Sequence, residues 1–103
     1  MLTAKERSVL KGIAAKEKTA INVGKKGINE ALVEEVSRAL FHKEIVKVAL
    51  LPSSLLQKEE AAAELASKTQ SEIVQTVGSK IVLYKRSDKK EIEHLIAPIA
   101  IQK

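Results

Sequence analysis

The sequence contains no cysteine, only two histidines, and no long apolar run. Without cysteine there can be no disulfide framework and no thiolate metal or redox chemistry, and His42 and His94 are too few for a histidine-rich metal site. No apolar stretch approaches the roughly 18 residues of a transmembrane helix, and the first twelve residues, MLTAKERSVLKG, carry charges where a signal peptide has an apolar core. We therefore expect a cytoplasmic protein with no metal, no cofactor and no membrane partner.

Aromatic residues are also scarce, since Phe41 and Tyr84 are the only two. A sheet that stacks RNA bases on a row of aromatic rings is excluded, so any contact with RNA would depend on backbone, shape and charge. Phe41 falls on the apolar side of a predicted helix, and we place it in the core. Tyr84 fits either the edge of the core or a single stacking platform.

Positive charge is concentrated in two parts of the chain. The net charge is +5 over 103 residues. Residues 1–28 carry seven Lys or Arg against two Glu, and residues 80–90 carry five against one Asp, whereas residues 29–79 are net acidic. A fold that brings the two basic segments together would create one positive face, which would attract a phosphate polymer.

Periodicity and turn signals predict an α/β fold with the order α-β-α-β-α-β-β. Thr3 and Glu6 have the spacing of a capping box, with Leu2, Val9, Leu10 and Ile13 on one side of the first helix. The predicted helices and strands cover 4–15, 20–23, 29–43, 44–51, 58–69, 72–77 and 80–84. Alternation of strands and helices implies parallel pairing, and the final hairpin at Gly78-Ser79 adds an antiparallel pair, so we expect a mixed four-stranded sheet with helices packed on it.

The end of the chain is less regular. Asp88 and Glu91 could cap a short apolar helix that Pro98 would limit. We expect one domain over residues 1–87 and an extension over residues 88–103 that packs on it; self-association through the extension is the alternative.

The segment INVGKKGINEAL, residues 21–32, joins a short strand to a helix through Gly24-Lys25-Lys26-Gly27. It lacks the third glycine of a dinucleotide fingerprint and the Gly-Lys-Ser/Thr ending of a P-loop, which disfavours nucleotide hydrolysis. Glycines allow a phosphate to approach the backbone closely, and the helix N-terminus attracts it. From the residues alone, a plain turn with solvated lysines remains the commoner use of such a loop.

Catalysis has little support in this sequence. Ser53 and Ser54 lie beside a proline with no histidine nearby, and the glutamates have the spacing of solvated helix faces. We expect no enzymatic activity and no small-molecule substrate.

Four stretches together resemble the CRM domain (chloroplast RNA splicing and ribosome maturation) in its stand-alone bacterial YhbY-like form. They are LKGIA at 10–14, the glycine-lysine segment extended to 21–40, KEIVKVAL at 43–50, and VGSKIVLYKRS at 77–87. The resemblance covers about residues 2–87. It implies a fold similar to the C-terminal domain of translation initiation factor three, and an RNA-binding protein that associates with precursors of the large ribosomal subunit.

By position, the resemblance assigns contact with the RNA backbone to Gly24, Lys25, Lys26 and Gly27. From charge and pattern we add four basic residues: Arg7, Lys11, Lys85 and Arg86. We expect a monomer bound to ribosomal RNA in pre-ribosomal particles. The alternative is a protein-interaction or translation-factor-like module whose basic face meets an acidic protein.

Overall fold

The structure is a computed structural model that describes residues 2–87. Its elements are α1 (Ala4–Ala15), β1 (Ile21–Val23), α2 (Glu30–Lys43), β2 (Ile45–Leu50), α3 (Lys58–Thr69), β3 (Glu72–Val77) and β4 (Lys80–Tyr84), with one turn of 3-10 helix at Pro52–Ser54. The predicted order and the mixed sheet are confirmed. The expected tail helix and His94 lie outside the described residues.

Two helices begin where their capping residues predict. In α1, Thr3 Oγ1 accepts from the Glu6 amide at 3.0 Å, and Glu6 Oε1 accepts from the Thr3 amide at 2.9 Å, which completes the capping box. In α2, Asn29 Oδ1 accepts from the Leu32 amide at 2.8 Å. Helix α2 ends at Lys43, and Glu44 caps it in a left-handed conformation that leads the chain directly into β2.

The four strands are ordered β1-β2-β4-β3. Strands β1 and β2 are parallel, with Val23 beside Leu50, because α2 returns the chain to the end of the sheet at which β1 begins. Strand β4 is antiparallel to both β2 and β3, with Lys80 beside Ala49 and Tyr84 beside Ile45. The strand that follows α3 is therefore an edge strand, and the second strand of the hairpin occupies the centre.

Helices cover both faces of the sheet, because successive strand residues point to opposite sides. Val46 and Val48 pack with residues of α2 and α3, such as Val36 and Leu65. On the other face, α1 packs on the sheet through a smaller cluster: Leu2, Leu10, Ala14, Ile45, Val74, Val82 and Tyr84. Burial of these side chains, each worth about 1.5–3 kcal/mol when complete, holds the three layers together.

The structure places three side chains about which the sequence carries expectations: Val9, Phe41 and Tyr84. Val9 and Phe41 are 47% and 46% exposed, so placing them on the buried sides of their helices was wrong. Val9 immediately precedes the buried Leu10, and Phe41 immediately follows the buried Leu40. One step along a helix turns a side chain by about 100°, which is enough to move it from the buried to the exposed side. Tyr84 is 5% exposed and belongs to the α1 cluster, so it is not a stacking platform.

Burial raises the pKa of the Tyr84 phenol, and the negative charge of buried Glu44 raises it further. Arg86, which hydrogen-bonds the hydroxyl, lowers the pKa but does not cancel the increase. A phenol whose pKa is raised by folding stabilises the folded state fully below its unfolded pKa, near 10, and this contribution is lost as the pH rises through the folded pKa.

We predict that the ultraviolet titration of tyrosinate in the native protein has a midpoint above that of the urea-denatured protein, which should lie at about 10. Tyr84 is the only tyrosine, so the signal reports this residue alone. The free energy of unfolding should fall above pH 10 more steeply in the wild type than in Tyr84→Phe. Equal midpoints in the native and denatured protein would contradict the buried placement of Tyr84.

Candidate nucleic-acid interface

Three loops meet at one end of the sheet, which we call the loop end. They are the glycine-lysine loop Gly24–Gly27 after β1, residues 51–57 after β2, and the Gly78-Ser79 turn between β3 and β4. Backbone hydrogen bonds tie them together, from the Leu51 amide to the Val23 carbonyl at 2.9 Å and from the Leu50 amide to the Ser79 carbonyl at 2.8 Å. The loop end is thus a continuous surface built from three separate segments.

The two glycines of the glycine-lysine loop have different roles. Gly27 has a φ of +67° and donates its amide to the Gly24 carbonyl at 2.9 Å, which closes the turn. Only glycine adopts this conformation without strain. Gly24 has no positive φ, and a Cβ there would meet Leu51 Cδ1 and Ser53 Oγ at 3.7 Å, an ordinary contact. The backbone therefore requires glycine at 27 but not at 24.

The start of α2 contributes backbone donors beside the loop. Asn29 satisfies the Leu32 amide, while the amides of Glu30 and Ala31 precede the first intrahelical bond and have no partner within the helix. The positive end of the helix dipole lies here, and the Glu30 and Glu35 carboxylates oppose it. An anion would therefore be favoured over the loop rather than along the helix.

Four lysines lie at the loop end. Lys25 and Lys26 are exposed on the glycine-lysine loop, as the sequence predicts. Lys80 opens β4 beside Ala49, and Lys58 lines a hollow with residues 50–52, residues 54–56 and the Gly78-Ser79 turn. Lys58 and Lys80 are not among the residues that the sequence predicts for the site. The hairpin signal at Gly78-Ser79 marks Lys80 as a strand start, but only the strand order shows which loops it joins.

Arg7 and Lys11, one turn apart, share a side of α1. The Arg7 guanidinium donates to the Ile73 carbonyl of β3 at 3.2 Å. Since β3 is the edge strand farthest from β1, three strand spacings or about 14 Å separate these strands. Arg7 is thus held by the fold away from the glycine-lysine loop, while Lys11 is exposed.

Lys85 and Arg86 lie at the opposite end of the sheet, because β4 starts at the loop end and runs away from it. The length of β2, six residues, separates the two ends by about 16 Å. Lys85 Nζ donates to the Thr69 carbonyl at 3.2 Å, and Arg86 hydrogen-bonds Tyr84. The second basic segment is therefore divided between the two ends of the sheet: Lys80 lies at the loop end, and the Lys85-Arg86 pair lies at the opposite end.

A second basic surface occupies that opposite end. Lys16, Lys18, Lys43 and Lys47 line a hollow there with Glu17. Lys43 Nζ lies 2.9 Å from Glu17 Oε1, and Lys47 Nζ donates to the Glu17 carbonyl at 2.9 Å. These contacts hold two of the four ammonium groups in place, and at the loop end Lys58 Nζ likewise lies 4.0 Å from Glu59 Oε2.

Neither a metal site nor a membrane-spanning helix is found in the part of the chain that the structure describes. Residues 2–87 contain no group of three His, Cys, Asp or Glu side chains placed to hold a metal ion. No helix in this range has the length and apolar character needed to cross a membrane.

The fold and the loop end define a small α/β domain that presents a glycine-bounded lysine loop at the edge of a mixed sheet. The CRS1 / YhbY (CRM) domain model matches residues 2–85, and the chain belongs to that family. This confirms the family resemblance on which the sequence analysis relied.

Relatives of similar length support the assignment. The Bacillus subtilis protein named "Probable RNA-binding protein YqeI" is 36% identical over 94 residues, which is 90% of this chain and 98% of that protein. A Haemophilus influenzae RNA-binding protein is 29% identical, with 89% and 93% covered. The solution structure of SAV1595 from Staphylococcus aureus is similar with a TM-score of 0.74 and 38% identity, over 91% of this chain and 99% of that one.

We predict that Gly27→Ala lowers the free energy of unfolding by about 1 kcal/mol, because a Cβ at φ +67° is strained. Gly24→Ala is the matched control and should stay within about 0.5 kcal/mol of the wild type. Urea denaturation of both variants measures the difference. Equal losses at the two positions would contradict the distinct roles of the two glycines.

Proposed function

We propose that the protein binds RNA at the loop end and acts, without catalysis, in assembly of the large ribosomal subunit. The observation that carries this proposal is the convergence of Lys25, Lys26, Lys58 and Lys80 on three loops that are joined by backbone hydrogen bonds. The printed names of relatives as RNA-binding proteins and the family resemblance support RNA as the partner.

The phosphate backbone is the part of RNA that this site suits. Four ammonium groups provide charge, Gly24 has no side chain to hold a phosphate away, and the first amides of α2 have no partner within the helix. No row of aromatic rings is exposed, since Tyr84 is buried and Phe41 lies on α2 near its C-terminal end. Affinity should therefore come chiefly from the backbone and from charge.

The residues proposed to contact RNA differ in their distance from the loop end. Gly24, Lys25, Lys26 and Gly27 stay together as the centre of the proposed site. Lys85 and Arg86 would contact the same RNA molecule only if that RNA extended about 16 Å along the sheet from the loop end. Contacts of Arg7, Lys11, Lys85 and Arg86 with RNA remain predictions.

We predict that Lys25→Asp combined with Lys26→Asp weakens RNA binding by about tenfold or more, because two phosphate contacts become repulsions. Both side chains are exposed, so the fold should be retained, as circular dichroism would verify. Gel-shift titration with a ribosomal RNA fragment measures the loss.

The matched control is Lys16→Asp with Lys18→Asp, which changes the net charge equally at two exposed positions of the opposite end. This control should retain most of the affinity. An equal loss in both double variants would mean that RNA responds to total charge and not to the glycine-lysine loop.

The salt dependence of binding provides a separate test. Four lysine contacts with a single strand predict a log–log slope of the binding constant against salt of about −3. The Lys25/Lys26 double variant should reduce the magnitude of the slope, measured by fluorescence anisotropy. A slope near zero with RNA would favour the alternative function, a protein-interaction or translation-factor-like module whose basic face meets an acidic protein.

A further inference from the structure

Exposed apolar side chains accumulate beside the glycine-lysine loop. Of the six exposed large hydrophobic residues within residues 2–87, four lie at the loop end: Leu51, Leu55, Leu56 and Val77. Leu55 is 92% exposed, the most of all. Single exposed apolar residues need no explanation, but a contiguous group beside a charged loop indicates contact with a ligand or partner.

The loop of residues 51–56, which we call the leucine loop, is held in shape by its own hydrogen bonds. The Ser54 amide donates to the Leu51 carbonyl at 2.9 Å, and the Leu56 amide donates to Ser54 Oγ at 3.3 Å. Leu55 has a φ of 58°, in the left-handed region where glycine and asparagine are favoured. Neither packing nor backbone conformation therefore explains a leucine at this position.

The leucine loop adjoins the proposed phosphate site. The Cβ position of Gly24 lies 3.7 Å from Leu51 Cδ1, and Lys58 lines the same hollow as Leu55 and Leu56. The leucine loop thus adjoins both the glycine-lysine loop and Lys58. A ligand that covers both must combine negative charge with apolar faces.

We propose that the leucine loop seats an unpaired base of a single RNA strand whose phosphates lie on the glycine-lysine loop. This inference rests on the proposed function and specifies its substrate class. Single-stranded RNA exposes base faces next to phosphates, whereas an A-form duplex hides them in its stack. Leucine and proline side chains can contact an unstacked base without hydrogen bonds, so this seat discriminates paired from unpaired RNA more than one base from another.

The test uses Leu55→Asn, which removes the apolar side chain and fits the left-handed backbone. Two probes are compared: a single-stranded oligoadenylate, and a strand of the same length and phosphate count that lacks bases. The wild type should bind the base-bearing strand about five- to tenfold more tightly, the gain expected for partial burial of a leucine. Leu55→Asn should lose this preference and bind the abasic strand as the wild type does.

Gln70→Asn is the matched control, since Gln70 is also exposed and left-handed, with φ 57°, at the opposite end of the sheet. It should keep the preference for bases. Thermal unfolding should show Leu55→Asn to be at least as stable as the wild type, which separates a binding role from a structural one.

The remaining outcomes distinguish this inference from the proposed function. If Leu55→Asn keeps the preference while the Lys25/Lys26 double variant loses affinity for both strands, the base seat is overturned and RNA binding stands. If the wild type binds neither strand nor a ribosomal RNA fragment, both proposals fail. If Leu55→Asn binds both strands normally but no longer joins pre-ribosomal particles, a protein covers the leucine loop and the base seat is overturned.

Discussion

The parallel pairing of β1 with β2 is the constraint on which the loop end depends. Parallel neighbours end at the same edge of a sheet, and α2 is the crossover that makes them neighbours. The Leu51 amide continues this pairing to the Val23 carbonyl, so the glycine-lysine loop and the leucine loop leave the sheet side by side. A one-residue change in register would turn Val46 and Val48 away from α2 and α3 and Lys47 toward them, so the packing of β2 also positions the loops.

The antiparallel placement of β4 divides the basic residues between two ends of the molecule. Lys80 stays with the loops, while the chain carries Lys85 and Arg86 to the end where α2 stops. Buried Glu44 is central there: its carboxylate accepts from the Ser87 amide at 2.7 Å and its carbonyl accepts from the Lys85 amide at 3.0 Å. The basic residues of this short segment thus have different roles. Lys80 lies near the proposed ligand, whereas Lys85 and Arg86 hold the end of β4 in place.

Local signals accounted for most of the element boundaries. The capping box of Thr3 with Glu6, the Asn29 cap and the Gly78-Ser79 turn each depend on residues within three or four positions, so the sequence contains the whole interaction. Phe41 and Val9 were misplaced because an apolar side chain next to a buried one reads as part of the same stripe. Which of two neighbours faces the sheet depends on how the helix is rotated against it.

The candidate site was predictable in its centre and not in its extent. Gly24-Lys25-Lys26-Gly27 is one uninterrupted segment between a strand and a helix, so its geometry could be anticipated from the sequence and from the family pattern. The sequence by itself determined the elements, their order and this loop, because caps, turns and periodicity act over a few residues. Only the tertiary structure decided that Lys58, Lys80 and the leucine loop join it while Lys85 and Arg86 do not, because strand order and direction arise from packing between segments far apart in the chain.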